Sequence, residues 1–305
     1  MIISCFPLGY GSGQGGGDTP TPSGPFSFTG EYLYIDDGDG DWRVKFLSSG
    51  TLTPNENLTV DIFAVGGGSG GRSGKYTYGP VYYNGVEVGY TYEHHSGGGG
   101  AGGYTATVTD KVLQAGHTYQ VVVGQGGKVN QDGGESSLGS LIRAGGGKMN
   151  ATDQSYFNNH GRSYGERGHD GGSGGGSGSF KRTGYYQGER AANAGGSDGS
   201  DGADTGTEHL NGSGQGTTTR EFGESGATLY AGGGGGGDHL TGVQKLGGAG
   251  GGGNGACPST LGNIESTHGE DGLGGGGGGG TEYMSASRGG SGIVIIRNTR
   301  AAVSN

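Results

Sequence analysis

The sequence predicts an all-β protein with little or no α-helix, in which short antiparallel strands carry an inserted bundle of extended polyglycine-II helices. Three observations lead there. Glycine makes up 84 of the 305 residues and is gathered in blocks such as Gly232 to Gly237 and Gly274 to Gly280. Short apolar or alternating runs feed several blocks: Ile62-Phe63-Ala64-Val65-Gly66, Leu141-Ile142-Arg143-Ala144-Gly145 and Thr228-Leu229-Tyr230-Ala231-Gly232. The chain ends near a continuous apolar run, Ile293-Val294-Ile295-Ile296-Arg297.

Taken in order, residues 1–25 form an N-terminal tether, because Gly9 to Pro25 mixes Gly, Ser, Thr and Pro. A single glycine-rich domain over 26–300 and a short tail, 301–305, follow. Phe26-Ser27-Phe28, Tyr32-Leu33-Tyr34-Ile35, Trp42 to Leu47 and Leu58 to Val65 are enriched in β-branched and aromatic residues, partly with period-two alternation. They read as short antiparallel strands. Asp36 to Asp41 supplies one turn and Thr53 to Asn57 another. Further strands are expected at Tyr104 to Val108 and Thr118 to Val123. Left exposed, the apolar run from Ile293 would be an aggregation hazard, so it is expected to join the sheet begun near Phe26. Strands thus occupy 26–65, 104–144 and 293–297, while 66–103 and 145–292 hold the glycine bundle and its presented loops.

Composition explains why a bundle is invoked. Only 28% of residues are hydrophobic, too few for side-chain burial to order the whole chain. Glycine excess ordinarily marks flexible coil, since glycine loses the most backbone freedom on ordering. Here charged residues are only 15% and the net charge is -10, far from the self-repelling composition of typical disorder. An internal repeat also argues for order. Gly124-Gln125-Gly126, Gly134-Glu135-Ser136 and Leu141 to Gly147 are matched, in the same order, by Gly214-Gln215-Gly216, Gly223-Glu224-Ser225 and Leu229 to Gly235. The one ordered state open to polyglycine without side-chain burial is the threefold, left-handed helix of polyproline-II geometry. Neighbouring helices can satisfy each other's N–H and C=O groups because glycine keeps its donor. Strict Gly-X-Y repetition is absent, which argues against a collagen triple helix.

Several function classes are disfavoured. A mildly acidic chain with scattered Lys and Arg lacks the basic face that nucleic acid requires. Cys5 and Cys257 are too few for a disulfide framework and have no zinc-site spacing. No apolar stretch approaches the roughly 18 residues of a membrane span, and Met1 to Leu8 lacks the features of a signal peptide. GxGxxG matches follow from glycine abundance alone, and Gly74-Lys75 and Gly147-Lys148 do not complete a phosphate-binding loop. Glu93-His94-His95 contains metal-ligand chemistry, but adjacent strand residues point to opposite faces, so a solvated loop pair and no metal are expected. Asp37 to Asp41 imitates the start of a calcium loop but has Trp42 and Ser48 where glycine and glutamate belong, which favours a tight hairpin. No nucleophile or acid–base pair stands out, so neither enzymatic activity nor a cofactor is expected.

The segments GTLTPNENLTVDIFAVGGGSGG, GQGTTTREFGESGATLYAGGGGGG and GGSGIVIIRNTR resemble the glycine-rich domain found in tail proteins of phages and prophages of gut bacteria. The resemblance spans about Phe26 to Arg297. More distantly the layout is similar to the glycine-rich extracellular region of anaplastic lymphoma kinase and to the polyglycine-sandwich adhesins at the tips of long phage tail fibres. It implies a small, jelly-roll-like antiparallel β-sandwich carrying the polyglycine bundle. It also implies a place in the virion tail, as a tail-tip or tail-fibre protein. There it would be a non-enzymatic adhesin that binds a bacterial surface receptor, protein or glycan, beside other tail or fibre subunits. A structural or filament-forming surface protein is the alternative, and a depolymerase a third.

Between the glycine tracts, Arg72 to Ser96, Lys148 to Asp170 and Ser179 to Asn193 hold many of the tyrosines: Tyr76, Tyr78, Tyr82, Tyr83, Tyr90, Tyr92, Tyr156, Tyr164, Tyr185 and Tyr186. Tyrosine among Gly, Ser and Asn is the composition of antibody paratopes, where the ring supplies contact area at little entropy cost. These ten are the receptor-binding candidates. The competing expectation is that the rings cover the bundle or belong to hairpins, as the Asn84-Gly85 dipeptide indicates.

Overall fold

A computed structural model describes residues 24–149, 167–184, 187–203, 211–259 and 262–299. Residues 1–23 of the tether and the 301–305 tail lie outside this set. Strands run in chain order as β1 (Phe26–Phe28), β2 (Tyr32–Gly38), β3 (Asp41–Phe46), β4 (Gly50–Pro54), β5 (Leu58–Val65), β6 (Lys75–Tyr83), β7 (Val86–His95), β8 (Thr105–Leu113), β9 (Tyr119–Val122), β10 (Ser136–Leu138), β11 (Ile142–Ala144), β12 (Phe180–Gly184), β13 (Gly188–Arg190) and β14 (Ile293–Asn298). Among the described residues the only helical element is a 3-10 turn at Glu221–Gly223, and no helix is long and apolar enough to cross a membrane.

Ten of these strands build the expected sandwich. One five-stranded antiparallel sheet has the order β1-β4-β9-β10-β11 and the other β2-β3-β14-β5-β8. Period-two alternation turns Val44, Phe46, Val60, Ile62, Ala64, Val294 and Ile296 inward from the second sheet, against Phe26, Leu52, Val121, Leu138 and Ile142 from the first. Each large side chain fully buried there contributes about 1.5–3 kcal/mol.

The apolar run near the C-terminus has a second cause. β14 sits between β3 and β5 at the sheet centre, with Val294 opposite both Phe46 and Ala64. Its alternate residues Ile293 and Ile295 join Phe63 and Val65 on the other face, packed against Tyr230 and Ala231. A strand buried on both faces reads as continuous rather than alternating.

The glycine region covers that face, and its hydrogen bonds repeat every three residues. Along 66–72 the N–H groups of Gly66 and Arg72 donate to Tyr104 and Gly98, and that of Ser69, between them, to Ala101. Gly67 and Gly70 donate to Gly134 and Gln131, and Gly68 and Gly71 to Gly290 and Ser287. Along 232–238, Gly232, Gly235 and Asp238 donate to Gly250, Gly253 and Ala256, Gly233 and Gly236 to Gly196 and Asn193, and Gly234 and Gly237 to Gly100 and Gly97. Three successive donors reaching three different neighbours is the signature of a threefold extended helix packed in a lateral array. Added Cβ atoms at Gly68, Gly71, Gly234 and Gly237 would each meet a neighbouring backbone carbonyl. Serine is admitted where its hydroxyl replaces a backbone partner, as Ser69 Oγ accepts the Ala101 N–H at 2.8 Å.

The strands differ from the expected ones in several places. Gly50 to Pro54 forms β4 although its last residues read as a turn, because Leu52, Thr53 and Pro54 align with Phe28, Ser27 and Phe26 of β1. Thr228 to Ala231 does not enter a sheet. Leu229 makes an isolated bridge with Arg220, Ala231 takes a left-handed φ of 57°, and the Tyr230 hydroxyl donates to Glu221 at 2.8 Å. The two sequence repeats therefore occupy different settings: one ends in β11 and the other packs across β5. Most important, 72–96 and 179–193, read as presented loops, contain a third antiparallel sheet of order β13-β12-β7-β6.

Candidate functional site

The β6–β7 hairpin follows from its sequence. Asn84 and Gly85 take φ values of 49° and 79°, the left-handed pair that a two-residue hairpin turn requires. Tyr76, Tyr78 and Pro80 on β6 pair across from His94, Tyr92 and Tyr90 on β7. Period two puts these six on one face and Thr77, Gly79, Thr91, Glu93 and His95 on the other. A register shift follows Val81, so Tyr82 and Tyr83 near the tip pair with Glu87 and Val86.

The second face anchors the hairpin. The Glu93 carboxylate accepts from Arg182 Nε at 2.8 Å and Thr77 Oγ1 at 3.2 Å, and lies 3.1 Å from His95 Nε2. Its hydrogen bond with His95, reinforced by Arg182, lowers its pKa from 4.5 to about 2 despite burial. His95 packs on the Phe180 ring at 5.0 Å, and Arg182 lies over the same ring. His94 and His95 are thus strand residues, with His95 buried against Glu93, and not the solvated loop pair expected; their opposed facing is as expected.

The first face is an exposed aromatic ladder. Tyr78 stacks on Tyr90 at 5.0 Å between ring centroids and tilts against Tyr92 at 4.9 Å, and Tyr76 meets the His94 ring at 4.9 Å. Tyr283, from the segment after Gly280, extends the row beside His94 at 6.4 Å. Exposure runs from 40% at Tyr90 to 72% at Tyr283, well above what a covering role would leave. The hydrogen bond to Glu87 raises the pKa of the Tyr90 hydroxyl above its ordinary value. Flat rings with hydroxyl donors, held by stacking on a sheet, can take up the apolar face of a sugar or a protein side chain with little loss of freedom.

Of the ten candidates, Tyr76, Tyr78, Tyr90 and Tyr92 are brought together, and Tyr82 and Tyr83 stand exposed near the hairpin tip. Tyr156, Tyr164, Tyr185 and Tyr186 lie outside the described residues. Tyr283 and His94 were missed as members of the face. The Tyr-x-Tyr spacing on both sides of Asn84-Gly85 is the signal that assigns the ladder, but nothing local joins Tyr283 to it. The Asp37 to Asp41 segment is the tight β2–β3 turn, with left-handed Gly38, Asp39 and Gly40 and with Asp37 ion-paired to Arg43 at 2.9 Å.

A search of curated proteins finds no match to this chain. The family model described as "Glycine-rich domain" matches residues 47–299, from the end of β3 through β14. With a backbone-bonded glycine bundle seated on an antiparallel sandwich, the chain belongs to the glycine-rich domain family.

Proposed function

We propose that this protein is a non-enzymatic adhesin of a phage tail tip or tail fibre, which uses the tyrosine ladder to recognise a bacterial surface receptor. The observation that carries this reading is the exposed row Tyr76, Tyr78, Tyr90 and Tyr92 on a strand pair whose opposite face is locked by Glu93, Arg182 and His95. A contiguous exposed aromatic surface on a rigid base supports an interaction role. The virion setting rests on the resemblance of the glycine-rich segments to phage tail proteins, and other tail subunits would be its structural partners. A filament-forming role is less well supported. Among the described residues β6 is an edge of its sheet, but Pro80 removes a backbone donor there and hinders strand addition by another copy.

The test is binding of the purified chain to a panel of bacterial cells and isolated envelopes. Saturable binding that Tyr78→Ala and Tyr92→Ala weaken, with circular dichroism unchanged, supports the reading. Unaltered binding by both variants, or release of sugars or peptides from the envelopes, would sink it.

A further inference from the structure

We propose that His94, His239 and Glu282 form a site for one divalent transition-metal ion, with Zn2+ the cation best matched to two imidazoles and a carboxylate. Such a set suits a borderline metal and not Ca2+ or Mg2+, which take oxygen ligands.

One ligand atom from each of the three residues lies within 4.8 Å of the other two. His94 Nδ1 is 2.6 Å from Glu282 Oε1, and His239 Nδ1 is 3.8 Å from Glu282 Oε2. Metal–ligand bonds of about 2.0–2.2 Å place tetrahedral ligands roughly 3.4 Å apart, so small side-chain rotations bring all three onto one ion. Two atoms of the cluster are buried without a hydrogen-bond partner, His239 Nε2 and Glu282 Oε2. The side chains bearing them are only 8% and 2% exposed. A buried carboxylate oxygen left unpartnered is costly unless a ligand completes it. Ser96 Oγ and Ser179 Oγ each lie 3.1 Å from His239 Nδ1, which fixes the ring and leaves Nε2 as the nitrogen to ligate the ion.

The site stands where glycine helices end. His94 is the last residue but one of β7, just before the 97–103 tract, His239 follows Gly232 to Gly237, and Glu282 follows Gly274 to Gly280. Those tracts are already bonded together, through Gly237 N–H to Gly97, Gly97 N–H to Gly280 and Gly279 N–H to Gly235. An ion there would pin three tract ends at the end of the tyrosine ladder, with access on the side of His94, whose side chain is 22% exposed. Lys181, the cross-strand neighbour of His94, opposes a cation, while Glu282 and the nearby Asp238 favour one. The sequence discounted His94 as a ligand by weighing only its chain neighbours. The true partners are 145 and 188 residues away, by the differences 239 − 94 and 282 − 94.

The experiment uses the full chain stripped with a chelator and dialysed, with Zn2+ added in a calorimetric titration and in thermal melts. Expected are saturable binding of a single Zn2+, a melting temperature that rises with Zn2+ concentration, and binding weakened at least ~10-fold in His94→Asn and His239→Gln. Co2+ in place of Zn2+ should give the visible absorption of a tetrahedral nitrogen–oxygen site. His94→Asn changes the most exposed ligand and is checked for folding by circular dichroism. The absence of saturable Zn2+ binding to the folded wild type, or wild-type affinity in folded His94→Asn, overturns the site. Because cell binding is measured separately, a chain that binds cells but not Zn2+ removes this proposal and leaves the receptor reading standing.

Discussion

Tyr78 and Tyr90 lie with their ring planes 5° from parallel and their centroids 5.0 Å apart, while 54% of Tyr78 and 40% of Tyr90 stay open to solvent. Stacked rings hold each other in one rotamer, so a partner meeting them loses little further side-chain entropy. Truncating the shared ring, Tyr78→Ala, is expected to weaken cell-surface binding at least ~10-fold, about 1.4 kcal/mol. Because the residue is half exposed, the melting temperature should move little. A cell-binding titration beside a thermal melt reads both quantities.

Glycine tracts should differ sharply in their tolerance of a side chain. A Cβ at Gly277 would fall on the Ser287 carbonyl and within 2.6 Å of Arg288 O, next to the Gly277 N–H bond to Ser69. At Gly79 on β6 a Cβ meets nothing within 4 Å. Gly277→Ala is therefore expected to cost about 3 kcal/mol or more, and Gly79→Ala to stay within about 0.5 kcal/mol. Denaturant midpoints for the two variants settle the contrast.

The Glu93–Arg182 pair should control hairpin docking. Glu93→Gln removes the carboxylate charge from a buried ion pair with Arg182, itself only 3% exposed, a change that costs up to about 3–5 kcal/mol in buried pairs. Since the Glu93 pKa is lowered to about 2, its stabilisation is present above pH 4.5 and is lost as pH falls toward 2. Limited proteolysis of the 75–95 segment across that range, in wild type and variant, checks the direction.

His169 supplies a second acid-sensitive step. Burial, aided by the charge of Arg72, lowers its pKa from 6.5 to about 3, so the folded chain holds it neutral. The unfolded chain takes up the proton first. Stability is therefore fully present above pH 6.5 and declines by roughly 4 kcal/mol as pH falls toward 3. In His169→Gln that slope should flatten, as measured by urea unfolding at successive pH values.

How much was legible depends on the range of the interaction. The Asn84-Gly85 hairpin, the Phe26, Leu58 and Ile293 strands and the glycine tracts are written in local pattern, because turn conformation and strand alternation are properties of a few consecutive residues. β4 was hidden because Pro54 and Asn55 carry a turn's composition while Leu52 is claimed by the sandwich core. Tyr230 looked like a strand residue, but its hydroxyl is drawn to Glu221, and only the folded chain brings Glu221, Lys45 and Arg43 together. Half of the ladder could be read from Tyr-x-Tyr spacing. Its meeting with Tyr283 and His94 could not.

By itself the sequence determined that glycine, and not side-chain burial, would order most of this protein, since few apolar residues and low charge leave backbone hydrogen bonding as the remaining source of cohesion. Only the tertiary structure decided which tract bonds to which. Threefold helices of near-identical composition have no side chains to specify their neighbours. Their register is set by the few residues that are not glycine: Val65 and Ile293 hold them at the sandwich, and Ser69 meets Ala101 within the bundle. That long-range placement brings His94, His239 and Glu282 to one point and gathers the tyrosines into one face.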